Sequence, residues 1–273
     1  MSHDPELQEP PAVVRLKDVH RSFDGREVLR GLSLEIPQGQ TTVVMGPSGC
    51  GKSVMLKHII ALLRPDSGEV WFRDQRIDAL REKELAPIRR RFGVLFQQAA
   101  LFDSMTVREN IAFPMRETGQ KGPGIEAKVR HVLSLVGLED TVDQMPAELS
   151  GGMRKRVGLA RALALDPEVV LYDEPTTGLD PIRSDVINEM ILRMQKELTI
   201  TSVVVTHDLV SAFKVADRMI LLHEGQVRAQ GTQEDFRAST DPVVQGFLQG
   251  RAEDVDLVQN QHTHSENHTR ADS

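Results

Sequence analysis

The octapeptide Gly46-Pro47-Ser48-Gly49-Cys50-Gly51-Lys52-Ser53 constrains this chain more than any other stretch. A compact apolar run, Thr41 to Met45, precedes it and is expected to be a buried strand. A helical pattern follows from near Lys52, and the stretch at 65–68 (PDSG) is expected to close it. Glycines let the loop backbone wrap an oxyanion without Cβ clashes. Successive N–H groups and the helix N-terminus present positive partial charge there, and Lys52 adds a full one. The residues fit GxxxxGK[ST] in the strand–loop–helix setting that its mechanism requires. A nucleoside triphosphate is therefore expected on Gly46 to Val54, with the Ser53 hydroxyl on Mg²⁺. Cys50 is expected to be a small loop residue and not a reactive thiol, although a helix N-terminus does lower thiol pKa.

A second motif supports the first. Val169-Val170-Leu171-Tyr172-Asp173-Glu174 is an apolar run ending in two carboxylates. The carboxyl end of a strand is where α/β sheets bind ligands. There Asp173 would hold Mg²⁺ through water, and Glu174 would orient and polarise the attacking water. Short β-type runs lie within 13–36, separated by the turn dipeptide Asp24-Gly25. Past Gly152 the order is helix, strand (VVLYD), helix (182–198), strand (SVVVT), helix, strand (MILLHEG). Apolar strands alternating with helices predict a mostly parallel α/β sheet. Residues from about 100 to 150 are mainly helical in pattern, with breaks expected at Pro114, 119–124 and Pro146.

Other classes are disfavoured. The net charge is −7 and the pI about 5.7; a nucleic-acid binder needs an excess of Lys and Arg, so no nucleic-acid partner is expected. Cys50 is the single cysteine, which excludes an internal disulfide and cysteine-rich zinc modules. The first residues lack a basic and an apolar region, so no secretory signal is expected. No run of about 18 apolar residues occurs; Met55 to Leu63 is interrupted by Lys57 and His58. If the chain serves a membrane, another subunit is expected to span it.

Further segments carry a family resemblance. Leu149-Ser150-Gly151-Gly152-Met153 resembles the LSGGQ signature of ABC (ATP-binding cassette) transporter ATPases, and lies just ahead of the Asp173-Glu174 strand. Gln97 matches the Q-loop glutamine, Thr177-Gly178-Leu179-Asp180 the D-loop, and His207 the switch histidine. Phe23 matches the aromatic position that stacks on adenine. Taken alone, Gln97 would be a surface residue and His207 a polar cap; their place in this order gives them weight. The stretch Leu95 to Arg116 (LFQQAALFDSMTVRENIAFPMR), with the LSGGM-RKR variant, is similar to the Mla/Mkl-type ATPases.

The resemblance covers roughly residues 12–248. It implies a P-loop NTPase fold with a RecA-like core, an N-terminal antiparallel β-subdomain and an inserted helical subdomain at about 100–150. Residues 1–11 are expected to be a disordered lead-in, and 249–273, with its histidines at 262, 264 and 268, a flexible tail more than a metal site. The resemblance also implies that the C-terminal segment reaches a partner subunit, with Phe247–Gly250 as anchor. It makes the chain an ATP hydrolase using ATP and Mg²⁺. Catalytic roles fall to Glu174, His207 and Lys52, and metal contacts to Ser53, Gln97 and Asp173. Nucleotide contacts fall to Phe23, Gly46, Pro47, Ser48, Gly49, Cys50, Gly51, Lys52, Ser53, Val54, Gln97, Ser150, Gly151, Gly152 and Asp180.

Ser150 is a good helix N-cap followed by two glycines, which makes a second phosphate site. The resemblance places it opposite the Lys52 loop of a second copy, so a homodimer is implied. Implied too are an integral-membrane permease, an MCE-domain protein and a small STAS-domain subunit, at the cytoplasmic face of the bacterial inner membrane. The cargo would be phospholipid; an ATPase for another cargo, such as amino acids or solvents, has the same motifs. A DNA- or ribosome-acting relative is opposed by the acidic charge, the single cassette and the lack of a long coiled-coil insertion. A catalytically dead module is opposed by intact Lys52, Asp173, Glu174 and His207.

Overall fold

A computed structural model describes residues 10–251. The expectations for residues 1–9 and 252–273, the three tail histidines included, lie outside the described residues. Within them, the backbone carbonyl of Pro11 already accepts from Gln38 N at 2.9 Å.

The chain begins with β1 (Ala12–Phe23), β2 (Arg26–Pro37), β3 (Thr41–Met45) and α1 (Lys52–Ile59). Next come β4 (Ser67–Phe72), β5 (Gln75–Arg76), α2 (Glu82–Arg89) and β6 (Phe92–Leu95). The helical block follows as α3 (Val107–Glu117), α4 (Pro123–Leu135) and α5 (Gly151–Ala162), with 3₁₀ turns at Glu139–Thr141 and Pro146–Glu148. The chain then alternates: β7 (Val169–Asp173), α6 (Pro181–Leu198), β8 (Thr201–Val205), α7 (Leu209–Val215) and β9 (Arg218–His223). It closes with β10 (Gln226–Gly231), α8 (Gln233–Ala238) and α9 (Pro242–Gln249).

Two sheets result. One is antiparallel, in the order β2-β1-β4-β5. Its first hairpin turns at Asp24 and Gly25, both at positive φ, 48° and 78°, which matches the right-handed twist of the flanking strands. The other has the order β10-β9-β3-β8-β7-β6, parallel except for β10.

The parallel strands read as unbroken apolar runs because both faces are covered. Val43, Met45, Val170, Tyr172 and Val204 enter the core shared with α5, α6 and the helical block. Their neighbours Val44, Val169, Leu171, Val203 and Val205 enter the core beneath the antiparallel sheet and α1. The alternation is the period-2 side-chain rule of a strand. Sheet carboxyl ends, helix starts and the loops between them therefore meet on one edge.

Two local expectations are corrected. Pro114 does not break a helix; it is the eighth residue of α3. The helix tolerates it because it ends three residues on, where Thr118 Oγ1 and N turn back to Met115 O. The segment at 65–68 does not end α1. That helix stops at Ile59, where Ala61 takes φ 51° and Leu62 N returns to Lys57 O at 2.8 Å. Phe247 and Leu248 of α9 are half-buried against this chain's own core.

Candidate functional site

The loop after β3 is shaped by its glycines. Gly46 sits at φ 151°, and a Cβ there would lie 2.2 Å from Leu222 O. Gly51 caps α1 at φ 104°, where a Cβ would meet Leu29 at 2.7 Å. The backbone passes through space that a side chain would fill, so the N–H groups at the start of α1 stay accessible. Lys52 Nζ arches over the loop and donates to Gly46 O at 2.6 Å and Pro47 O at 2.9 Å. Cys50 is buried and unpaired by disulfide, and burial pushes its thiol up, outweighing the nearby lysine. It is a packed loop residue, as expected.

A cleft of about 360 Å³ gathers Ser48, Gly49, Gly51, Lys52, Ser53, Val54, Gln97, Asp173, Glu174 and His207. These come from four separate stretches of chain, brought together by the parallel sheet edge. Ser53 Oγ lies 3.4 and 3.5 Å from the two carboxylate oxygens of Asp173. Burial first, and the Glu174 charge second, push the Asp173 carboxyl above its usual range. A carboxylate that resists ionisation, beside a hydroxyl and an amide, is a set of hard oxygen donors that a divalent cation would suit. The residues thus fit Mg²⁺.

Glu174 is the most constrained residue of the cleft. It has φ 50° and precedes a proline, although residues before proline favour extended backbone. Its N–H donates to Val205 O at 2.9 Å. Its Oε2 accepts from Thr177 Oγ1 at 3.1 Å and lies 2.9 Å from His207 Nδ1. The Glu174 side chain is 14% exposed and that of His207 65%, so the imidazole sits toward solvent over a sheltered carboxylate. A non-glycine residue at positive φ in such a place is the kind of strain found at working sites.

The remaining predicted residues lie elsewhere. Ser150 caps α5, accepting from Met153 N at 3.3 Å. Asp180 caps α6, accepting from Arg183 N at 2.9 Å. Gly151 lines a separate cleft of about 290 Å³ with Thr177, Gly178 and Lys155. Gly152 packs near Arg183. None of these four lines the Lys52 cleft. Pro47, Gly46 and Cys50 form the loop beneath it. Phe23, at the end of β1, is 38% exposed with the Arg21 guanidinium 4.7 Å over its ring, and is outside the cleft lining.

Sequence reasoning missed Val28 and Val205, which line the cleft from β2 and β8 and carry no polar signal. It also missed a second, apolar cleft of about 460 Å³ on the far side of β6. Phe96, Phe102, Phe113 and Pro114 line it, with the Phe102 and Phe113 rings 4.8 Å apart. Arg161 closes one end, donating to Ala99 O and Ala100 O, each at 2.8 Å.

A phosphate-gripping loop on a parallel sheet edge, a carboxylate pair opposite it and a separate capped glycine helix define a nucleotide hydrolase of the ATP-binding cassette class. The ABC transporter family model matches residues 29–177, and the chain belongs to that family as an ATP-hydrolysing cassette. It is 43% identical over 239 residues to the probable ribonucleotide transport ATP-binding protein mkl of Mycobacterium leprae, covering 87% of this chain and 69% of that one. It is 38% identical over 242 residues to the intermembrane phospholipid transport system ATP-binding protein MlaF of Escherichia coli K12, covering 88% and 90%. Its fold is similar to a dimeric ATP-binding cassette solved in a post-hydrolysis state bound to ADP and Pi. That match has TM-score 0.73 and 34% identity, over 80% of this chain and 98% of the other.

Proposed function

We propose that this chain energises phospholipid transport across a bacterial cell envelope, working as a homodimer on the cytoplasmic face of the inner membrane. One observation carries the chemistry: Lys52, Ser53, Gln97, Asp173, Glu174 and His207 line a single cleft that Ser150 does not enter. One chain holds two phosphate-binding edges that cannot serve one triphosphate together, so a second copy is needed to complete each pocket.

In this reading the loop N–H groups and Lys52 hold the β- and γ-phosphates. Ser53, Asp173 and Gln97 would hold Mg²⁺, which neutralises phosphate charge when bound. Glu174 accepts a hydrogen bond from the attacking water, sheltered enough for that bond to be strong. The water oxygen bonds to the γ-phosphorus as the bond to the ADP oxygen breaks. His207, already beside Glu174, donates to the γ-phosphate and loses that partner on phosphate release. Phe23 stacks on adenine. Ser150, Gly151 and Gly152 of the partner copy close over the γ-phosphate, with Asp180 at the same seam. Loss of that phosphate removes the ligand common to both copies and loosens the dimer.

The apolar cleft suits a helix of the permease, since exposed Phe96 and Phe102 offer aromatic anchors. Among the described residues no helix is long and apolar enough to cross a membrane, so the permease supplies the span. The similarity to MlaF over most of both chains supports phospholipid as cargo, together with an MCE-domain protein and a small STAS-domain subunit as further partners. The test is to recover the full chain from membranes and identify what accompanies it. A polytopic permease with an MCE-domain protein is expected; a binding-protein-dependent amino-acid permease would overturn the lipid reading in favour of another cargo.

A further inference from the structure

Helix α5 carries a lysine that the reaction scheme leaves unused. Lys155 is 6% exposed. Its Nζ donates to Pro175 O at 2.7 Å and to Glu174 O at 3.2 Å. Among the described residues no carboxylate lies within ion-pair distance of it; its direct partners are two backbone carbonyls. Burying an ammonium whose hydrogen bonds go only to neutral carbonyls is expensive, and burial outweighs the favourable Glu174 charge nearby. A packed apolar side chain of similar volume would fill the same space without that penalty, so packing does not account for a lysine here.

The two carbonyls belong to the strained segment. Glu174 stands at φ 50° ahead of Pro175, a backbone that persists only when its surroundings hold it. From one side Val205 O holds the Glu174 N–H. From the other, Lys155 holds the carbonyls of Glu174 and Pro175. The lysine's own helix is capped by Ser150, about 1.4 turns earlier at 3.6 residues per turn. A single side chain therefore joins the helix that serves one nucleotide to the carboxylate that serves the other.

We infer that Lys155 is a positioning residue: its ammonium ties α5 to the Glu174–Pro175 backbone, fixing where the hydrolytic carboxylate points and making it move with the Ser150 end of the same chain. The inference rests on the functional reading above. When α5 shifts on engaging a partner's nucleotide, the tie carries that shift to Glu174, so each half-site aligns its own carboxylate as it closes the other. A carboxylate displaced by about 1 Å can lose on the order of 100-fold in rate without losing substrate affinity.

The test compares wild type with Lys155→Met, Lys155→Gln and Lys155→Arg in the full chain, using Mg-ATP. The Met variant keeps the stem and removes every donor; the Gln variant carries the test if Met fails to fold. In whichever folds, kcat is expected to fall at least about 10-fold, with KM for ATP within about twofold and the thermal midpoint still showing an ATP-induced rise. Arg, which can donate to both carbonyls, is expected to recover most of kcat. A folded Met or Gln variant with wild-type kcat overturns the inference. So does a loss confined to KM, or one that Arg does not recover. Wild type and Glu174→Gln are run alongside. If wild type hydrolyses no ATP, or Glu174→Gln matches it, the functional reading has failed instead.

Discussion

The cleft around Lys52 and the apolar cleft beside β6 have no lining residue in common. The phosphate cleft is lined by loop glycines, a lysine, two carboxylates and a histidine. The other is lined by phenylalanines, a proline and the aliphatic edge of α5, with one guanidinium at its rim. Val94 and Phe96 line the apolar cleft, while Gln97, one residue on, lines the cleft around Lys52. A turn at Gln97–Ala100, with Ala99 and Ala100 at φ 61° and 48°, makes this switch, and Arg161 pins its carbonyls. In the proposed reading, hydrolysis calls for charges at fixed places and docking for shape and aromatic surface.

The sharpest way to separate the clefts is Glu174→Gln. ATP turnover is expected to fall at least about 100-fold with nucleotide binding retained, and light scattering should show an ATP-stabilised dimer. Rapid turnover would show that the carboxylate is not the hydrolytic group. Next in size is a mixed-dimer experiment on the phosphate cleft alone. With Lys52→Ala on one chain and Ser150→Arg on its partner, both lesions fall in one pocket and the other is whole, so measurable ATPase activity should remain, at most about half and less where the Lys155 tie couples the two pockets. With both on one chain, each pocket carries a lesion and none should remain. Equal activity in the two pairings would refute completion in trans.

On the apolar side, Phe102→Asp is expected to weaken co-purification with the permease by about 30-fold, the scale of a lost aromatic anchor; unchanged recovery would move the docking surface elsewhere. Gly93 marks the floor of this cleft, and a Cβ there would sit 2.6 Å from Ala162 O on α5. Gly93→Val should destabilise the fold by about 1–3 kcal/mol through overpacking, read as a lower midpoint in urea.

The smallest effect lies under the phosphate cleft. His58 of α1 is fully buried; its Nδ1 is 2.7 Å from Val54 O, and its Nε2 has no hydrogen-bond partner among the described residues. Burial holds its pKa below 6.5. The unfolded chain therefore binds a proton that the folded one refuses. Stability is intact above the unfolded value and declines as pH falls through it, by at most about 1.4 kcal/mol per pH unit. The wild-type midpoint should drop from pH 7.5 to 5.5 by more than that of His58→Leu. Equal drops would mean His58 titrates alike in both states.

Legibility in the sequence followed how local each demand was. The Lys52 loop was readable because one turn needs glycines at fixed places and a lysine at the helix start. The Asp173-Glu174 pair was readable because an apolar run ends in it. Helices α8 and α9 announce themselves by Thr232 with Asp235 and by Asp241-Pro242, cap signals that a closer reading would have used. Strand β10 gave no such notice, since its side chains alternate between exposed and half-buried at a sheet edge. Helix α2 was hidden by Pro87. The apolar cleft was unreadable because Phe96, Phe113 and Leu165 come from three elements, none unusual alone.

By its own order of residues the chain determined a phosphate-gripping loop, a carboxylate-ended strand and a glycine-led helix, because each is built from neighbours along the backbone. Their relative placement was decided only in three dimensions. The parallel sheet set Lys52, Glu174 and His207 on one edge, turned Ser150 away from them and ran Lys155 between. Those distances depend on which strands pair and which face each helix covers, and the pairing of β3 with β8 brings Thr41 beside Ser202, far along the chain.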